Sequence, residues 1–246
     1  MAALVAAWFL LTNVTGLVTS QRFPSPADFW ASLTQINTRG YAGAALLSHA
    51  LHSLKLVAMG FFVAVVTGVP LGLWMGWSRR AEAIVNPVFL IIRPIPPLAW
   101  IPLAILWLGL GDAAKIMVIW FAAFVPSVIN AFAGVRNIDR PVIEAARMLG
   151  TPRWRLAREV IAPAASPMIF TGLRLSLQAS WTTLVAAELV GALVGIGFVL
   201  NMAQQDIYPG MILVGMLTVG VLGFATTWLL GRAERRALAW NMAARD

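Results

Sequence analysis

Residues 136–163 have the sequence RNIDRPVIEAARMLGTPRWRLAREVIAP, a basic stretch that lies between long apolar runs. It contains six arginines and three acidic residues, whereas the whole chain is only 11% charged and 60% hydrophobic. Several of the flanking runs reach the ~20 apolar residues that cross a hydrocarbon layer of ~30 Å. The contrast predicts an all-α, polytopic membrane protein whose basic stretch meets a partner in water.

The apolar runs on both sides of this stretch predict about six transmembrane helices in a single domain, 1–246. The chain has no cysteine, which excludes disulfides and thiolate metal sites. The first run is short enough for a signal peptide, but it lacks a basic amino-terminal region and a small-residue cleavage site, so a retained helix is expected. The predicted spans are about 2–19, 55–77, 83–109, 113–135, 166–190 and 210–231.

The distribution of lysine and arginine predicts the orientation in the bilayer. Twelve of the eighteen basic residues lie in the turn at 78–82, in the basic stretch and in the tail after Gly231. The positive-inside rule therefore places both termini and the basic stretch in the cytoplasm of a cell-membrane protein. The net charge of +8 follows this positional bias, so nucleic acid is not an expected partner.

Within the basic stretch, spacing predicts a short helix that begins near Pro141, because proline suits the first turn of a helix. Glu144 and Arg147 point to one side of this helix. The opposite face is apolar and consists of Val142, Ala146 and Leu149.

A glycine turn is predicted to follow, since Gly150 can adopt the left-handed conformation that ends a helix. Thr151-Pro152 would then restart a second helix as its N-cap and first position, and Pro163 would end it. An ordinary basic loop would also satisfy the charge rule, but it does not explain paired amphipathic helices. Nor does it explain the small residues Ala145 and Ala146, which allow another protein surface to approach closely.

These residues resemble the EAA loop of ABC importer permeases, whose pattern is Glu-Ala-Ala, three residues, Gly, nine residues, Ile, one residue, Leu-Pro. Val160 and Ala162 depart from the last part of the pattern. The resemblance extends over roughly 41–235, which would be the core of a single permease domain, and includes 93–100, 108–111 and 184–189. These stretches are similar to the taurine, alkanesulfonate, nitrate and bicarbonate branch, and most of all to taurine-type permeases. The residues that match in register are Glu144, Ala145, Ala146, Gly150 and Pro163.

The resemblance implies the permease subunit of a type I importer, not an enzyme, that moves a small anion inward by alternating access. Its EAA loop would couple to two cytoplasmic ATPase subunits, which would bind ATP and Mg²⁺, and this chain itself has no phosphate-binding loop for a nucleotide. It would need a second permease copy, expected as a homodimer, and an external binding protein that delivers the substrate.

Ionisable residues inside spans are functional candidates because their insertion costs free energy. Arg93 lies beside three prolines, which kink the helix and leave irregular backbone of the kind tolerated where it lines protein or a cavity. Arg93 therefore either lines the path or serves in a structural ion pair or a snorkelling role. In the fifth span a polar stripe recurs with the helical period, and it predicts a water-facing path suited to an anion. Snorkelling of the arginine and solvation of the glutamate are the alternatives. The stripe consists of Arg174, Gln178, Thr182 and Glu188, with Trp181 and Val185 between them.

The opposite side of the same span carries small residues, which predict close packing against another helix. These residues are Ser176, Ser180, Thr183 and Ala187.

Other functional classes fit the sequence less well. A secondary transporter would want intramembrane carboxylates and inverted repeats, and a membrane enzyme would want clustered acids and histidines near one interface. His49 and His52 could ligate a metal, but no third ligand lies near them in sequence, so an interfacial helix leading into the second span is expected instead. No metal site is predicted.

Overall fold

The computed structural model describes Trp8, Thr12 and residues 24–242, and every regular element from residue 24 onward is a helix. A 3₁₀ turn (Pro97–Trp100) precedes the fourth helix, and a π-helical turn (Leu156–Ile161) lies between the seventh and the eighth. The helices are α1 (Pro26–Thr38), α2 (Leu46–Trp77), α3 (Arg79–Ile92), α4 (Ile101–Leu108), α5 (Asp112–Arg136), α6 (Arg140–Met148), α7 (Arg153–Arg155), α8 (Ala162–Gly191), α9 (Ile196–Gln205), α10 (Pro209–Ala237) and α11 (Ala239–Met242).

Four predicted spans correspond to continuous helices that are long and apolar enough to cross a membrane: α2, α5, α10 and a 39-residue helix, Arg153–Gly191, that includes α7 and α8. The prediction for 2–19 lies outside the described residues apart from Trp8 and Thr12. The all-α, membrane-spanning fold class is confirmed over the described part of the chain.

The predicted span 83–109 is two helices rather than one. α3 ends at Ile92, and the helical segment Pro97–Leu108 leaves it at an angle of 83°. Proline has no N–H to donate and disfavours helical geometry in the residue before it. Because Pro94, Pro96 and Pro97 follow one another closely, the helix breaks completely at this point.

The core consists of α2, α5 and α8, which approach one another closely through small residues. A Cβ built at Gly72 of α2 would lie 2.4 Å from the Val128 carbonyl oxygen of α5. Between α5 and α8, the hydroxyls of Ser127 and Ser176 are 2.8 Å apart. The predicted packing face of α8 is confirmed, since Ser176, Ser180, Thr183 and Ala187 are all buried.

The segment before the second span is also helical, but its boundaries differ from the prediction. α1 begins with a capping box in which Ser25 and Asp28 cap each other's backbone N–H groups. His49 and His52 lie in the first two turns of α2, so the predicted interfacial helix is continuous with the span that follows it.

Candidate functional site

The first helix predicted in the basic stretch is present as α6. Asp139 is its N-cap residue and Pro141 lies in its first turn. Its apolar face points away from the rest of the chain, with Val142 47% and Leu149 86% exposed, and Met148 beside them is 87% exposed. The helix therefore presents an uncovered apolar surface to its surroundings.

The turn after α6 is the predicted glycine turn. Gly150 has φ of +72°, and its N–H donates to the Arg147 carbonyl oxygen at 3.0 Å. The Thr151 N–H donates to the Ala146 carbonyl oxygen at 3.2 Å. These two bonds form a Schellman motif, which satisfies carbonyl groups that the helix end would otherwise leave free.

The second helix of the basic stretch differs from the prediction at both ends. It begins one residue late, because Pro152 is the N-cap residue and Arg153 is the first helical one. The prediction that Pro163 ends it is wrong, because the helix continues through Pro163 into α8. A proline ring clashes with the carbonyl four residues earlier, here that of Glu159. The π-helical turn Leu156–Ile161 widens the helix at that carbonyl and accommodates the ring.

Three of the predicted path residues line one groove, of about 490 Å³, between α8 and α10. They are Arg174, Gln178 and Thr182. Opposite them the wall is formed by Val219, Gly223 and Thr227 of α10. At the inner edge of the groove the Trp181 indole N–H donates to the Thr226 hydroxyl at 3.0 Å and joins the two helices.

The side chain of Arg174 is 51% exposed, and its guanidinium forms an ion pair with the carboxylate of Glu234 near the end of α10. The side chain is therefore neither free in the groove nor simply directed to lipid headgroups. An arginine in this position keeps most of its hydrogen-bond donors available, since a guanidinium has five of them. The groove thus combines one accessible cation with an amide and a hydroxyl.

Glu188 lies outside this groove, because other segments of the chain cover its face of α8 near the C-terminal end of that helix. Its side chain is fully buried. Oε1 accepts from the Ser53 hydroxyl at 2.8 Å, and Oε2 accepts from the Gly197 N–H at 2.7 Å. The Ile196 N–H in turn donates to the Ser53 hydroxyl at 2.9 Å. A carboxylate at the N-terminus of a helix is stabilised by these donors and by the helix dipole, so Glu188 holds α9 against α2 and α8.

The histidines and a tyrosine complete the polar cluster around Glu188. The Gly195 N–H donates to His49 Nδ1 at 3.1 Å, and His49 Nε2 lies 3.1 Å from the Tyr41 carbonyl oxygen. The Tyr41 hydroxyl donates to the Asp206 carboxylate at 2.6 Å. Two effects raise the pKa of Tyr41 above its ordinary range: burial, which is the larger, and this hydrogen bond.

His52 lies 3.3 Å from the Asp112 carboxylate, which also pairs with Lys115 at 3.6 Å. Both histidines thus contact neighbouring polar groups.

The last predicted residue, Arg93, is the C-cap residue of α3. It is exposed, and the backbone that follows it at 94–96 is exposed as well. Irregular backbone at membrane depth is tolerated where it is buried in protein or lines a water-filled cavity. The structure places Arg93 at this break and away from the α8–α10 groove.

Sequence reasoning missed the partners of these residues. The partner of Arg174 is Glu234, 60 positions away, and that of Glu188 is Ser53, 135 positions away. The spacing of His49 and Ser53, i and i+4 on one helix, was the available signal, because both are polar residues at the start of a span.

The chain is similar in sequence to known proteins. Residues 68–238 match the family model described as the binding-protein-dependent transport system inner membrane component. The chain is 34% identical to the taurine transport system permease protein of Escherichia coli (strain K12), over 98% of this chain and 88% of that protein. It is 33% identical to the putative aliphatic sulfonates transport permease protein of Bacillus subtilis (strain 168), over 98% and 85%.

Among solved structures, the fold is similar to a chain of the MetNI methionine ABC transporter in an inward-facing conformation. The TM-score is 0.67 at 21% identity, and the match covers 78% of this chain and 95% of that one.

Proposed function

Since the chain belongs to the family of binding-protein-dependent transport system inner membrane components, and is thus a permease component of an ABC importer, we propose that it moves a small anion into the cytoplasm. The movement is driven by ATP through alternating access. The substrate is taurine or another sulfonate, or else nitrate or bicarbonate. The observation that supports this most strongly is the uncovered apolar face of α6.

The proposed coupling surface is α6 with the glycine turn that ends it. An apolar face that stays exposed on a water-facing helix marks a protein interaction site. On this face Ala145 is exposed and small, which lets a partner surface approach the helix closely. The ATPase-coupling residues are Glu144, Ala145, Ala146, Gly150 and Pro163, the last of them in the first turn of α8.

The proposed substrate path includes the α8–α10 groove. Arg174 provides the positive charge that favours an anion, and Gln178 and Thr182 provide further polar groups along the same wall. An arriving anion would share the guanidinium with Glu234. Arg93 is proposed as a second path residue, because the exposed break beside it is the kind of backbone that lines a cavity.

The complete transporter is proposed to contain two copies of this chain, two ATPase subunits with ATP and Mg²⁺, and an external binding protein. One chain leaves the groove open along its side, so a second copy is needed to enclose a path. Both termini are proposed to be cytoplasmic, because the tail and the basic stretch share the same excess of arginine.

The coupling proposal is tested by removing the exposed apolar side chains. The double variant Met148→Ser/Leu149→Ser should fold normally, since both residues are exposed. It should lose ATPase co-purification by at least about 100-fold, because burial of each such side chain contributes about 1.5–3 kcal/mol. Leu193→Ser, also 82% exposed but outside α6, is the matched control. Normal ATPase recovery with the double variant would refute the assignment.

The substrate proposal is tested by uptake into proteoliposomes that contain the whole complex and its binding protein. Taurine, an alkanesulfonate, nitrate and bicarbonate are compared as substrates. Arg174→Gln should reduce uptake at least about tenfold while assembly is unchanged, whereas Arg235→Gln, which removes a charge from the tail, should not. Full uptake by Arg174→Gln would remove this residue from the path.

A further inference from the structure

A cavity of about 870 Å³ lies on the side of α6 that faces the chain, against the ends of α2 and α5. Five arginines line it, and Glu144 is the one acidic residue in the lining. Arg136 pairs with Glu82, but within the described part of the chain none of the other four forms an ion pair. The cavity therefore has a surplus of positive charge. Its arginines are Arg79, Arg136, Arg140, Arg147 and Arg153.

An apolar groove of about 340 Å³ adjoins this cavity, and the two share Trp77, Arg153 and Ile161 as lining residues. The rest of the groove is apolar and includes two tryptophans with large exposed fractions, Trp74 at 53% and Trp154 at 60%. Tryptophans of this kind are enriched at the boundary between hydrocarbon and headgroups. The cavity and the groove thus form one site with a cationic end and an apolar end at the membrane surface.

We propose that this site binds an anionic phospholipid of the leaflet that the positive-inside rule assigns to the cytoplasm. The phosphate lies among the arginines, which recognise phosphate oxygens through paired N–H groups. An acyl chain follows the groove along Trp74 and Trp154. A free phosphate would use only the cationic end and would leave the tryptophan groove unexplained. Basic pockets between transmembrane helices on this side of a bilayer are suited to anionic headgroups.

The surroundings of α6 give the lipid a structural role. No residue of α6 is buried, so the helix stands off the chain with the cavity beneath it. Ile143, Glu144 and Arg147 face the cavity, whereas Val142 and Leu149 face outward. A lipid in the cavity would support α6 from below and leave the apolar face free for the ATPase. This role of the lipid does not depend on which anion is transported.

The proposal is tested by native mass spectrometry of the purified full-length chain, titrated with dioleoylphosphatidylglycerol or with dioleoylphosphatidylcholine. The test variant is Arg79→Gln/Arg153→Gln, in which both residues line the cavity. The control is Arg80→Gln/Arg158→Gln, which removes the same charge from the same side without touching the lining. A third arm adds glycerol phosphate in millimolar excess as a soluble competitor.

We expect one phosphatidylglycerol to remain bound per chain, with weaker retention of phosphatidylcholine. The test variant should bind phosphatidylglycerol about 30-fold more weakly, which corresponds to about 1 kcal/mol for each arginine, and the control should change binding less than about threefold. Equal loss in both variants, no preference for the anionic lipid, or full displacement by glycerol phosphate would each overturn the proposal. So would normal lipid retention by a test variant that no longer co-purifies with the ATPase, because the cavity would then be a protein docking surface.

Discussion

The buried carboxylate near the C-terminal end of α8 gives the sharpest prediction for stability. Glu188 is fully buried and accepts hydrogen bonds from Ser53 and from the N–H of Gly197. Glu188→Ala would leave both donors buried without an acceptor. Glu188→Gln would keep the shape of the side chain and one acceptor oxygen, but it would place an amide NH₂ where the second donor now points.

The expected free energies follow from this count. A hydrogen bond to a charged group contributes about 1.5–3 kcal/mol, so the loss of two in Glu188→Ala should cost about 3–6 kcal/mol. Glu188→Gln, which loses one of them, should cost about half of that. For a chain of this length, 1 kcal/mol corresponds to a change in Tm of about 2–4 °C. Glu188→Ala should therefore lower the Tm by at least about 6 °C.

The assay is thermal unfolding in detergent, followed through the fluorescence of the eleven tryptophans. Glu159→Gln is the matched control, because its side chain is 60% exposed and its nearest arginine nitrogen is 4.0 Å away. It should change stability by less than about 0.5 kcal/mol. The reasoning would be refuted if Glu188→Ala had no larger effect than Glu159→Gln, or if the alanine and glutamine variants were equally stable.

Two further predictions concern packing and pH. Gly72→Ala should destabilise the chain by about 1–3 kcal/mol, because its Cβ would meet the Val128 carbonyl at 2.4 Å. The control Gly220→Ala, whose Cβ would have nothing within 4 Å, should be neutral or stabilising by up to about 1 kcal/mol. Equal melting temperatures of the two variants would contradict this. The raised pKa of Tyr41 means that the unfolded chain loses this proton near pH 10 while the folded chain keeps it, so stability from Tyr41 is present below pH 10 and falls above it. Tyr41→Phe should therefore be less stable than wild type at pH 8 by about 1 kcal/mol, because it loses the hydrogen bond to Asp206. This difference in stability should shrink above about pH 10. A constant difference up to pH 11 would contradict the raised pKa of Tyr41.

Periodicity along one helix predicted most of what the structure shows within that helix. The small face of α8 packs against α5 as expected, and Arg174, Gln178 and Thr182 share a groove. The turn at Gly150 followed from glycine's access to positive φ. In each case the information is local, because a helical face or a turn depends on residues only a few positions apart.

Long-range neighbours were not predictable in the same way. Glu188 has the correct spacing for the Arg174 stripe, yet α9 folds over that end of α8 and buries it. No pattern within α8 reports where α9 will lie. The prolines predicted a kink in the span 83–109, whereas the structure has two separate helices at an angle of 83°. The hydropathy of a long window averages over Pro94, Pro96 and Pro97, although their lost donors end the helix.

A role of Arg174 in anion binding has to be distinguished from a structural role, because the same side chain joins two helices. It lies on a continuous helix of 39 residues, about 58 Å long at 1.5 Å per residue, which begins at the coupling turn and ends near Glu188. A change in how this helix pairs with α10 could alter uptake without any role in anion binding. Glu234→Gln breaks the same ion pair but leaves the positive charge in the groove. If charge attraction is what matters, Glu234→Gln should keep at least about half of the uptake while Arg174→Gln loses it. If both variants lose uptake equally, the ion pair positions α8 against α10, and the anion contacts must be sought at other residues of the groove or at Arg93.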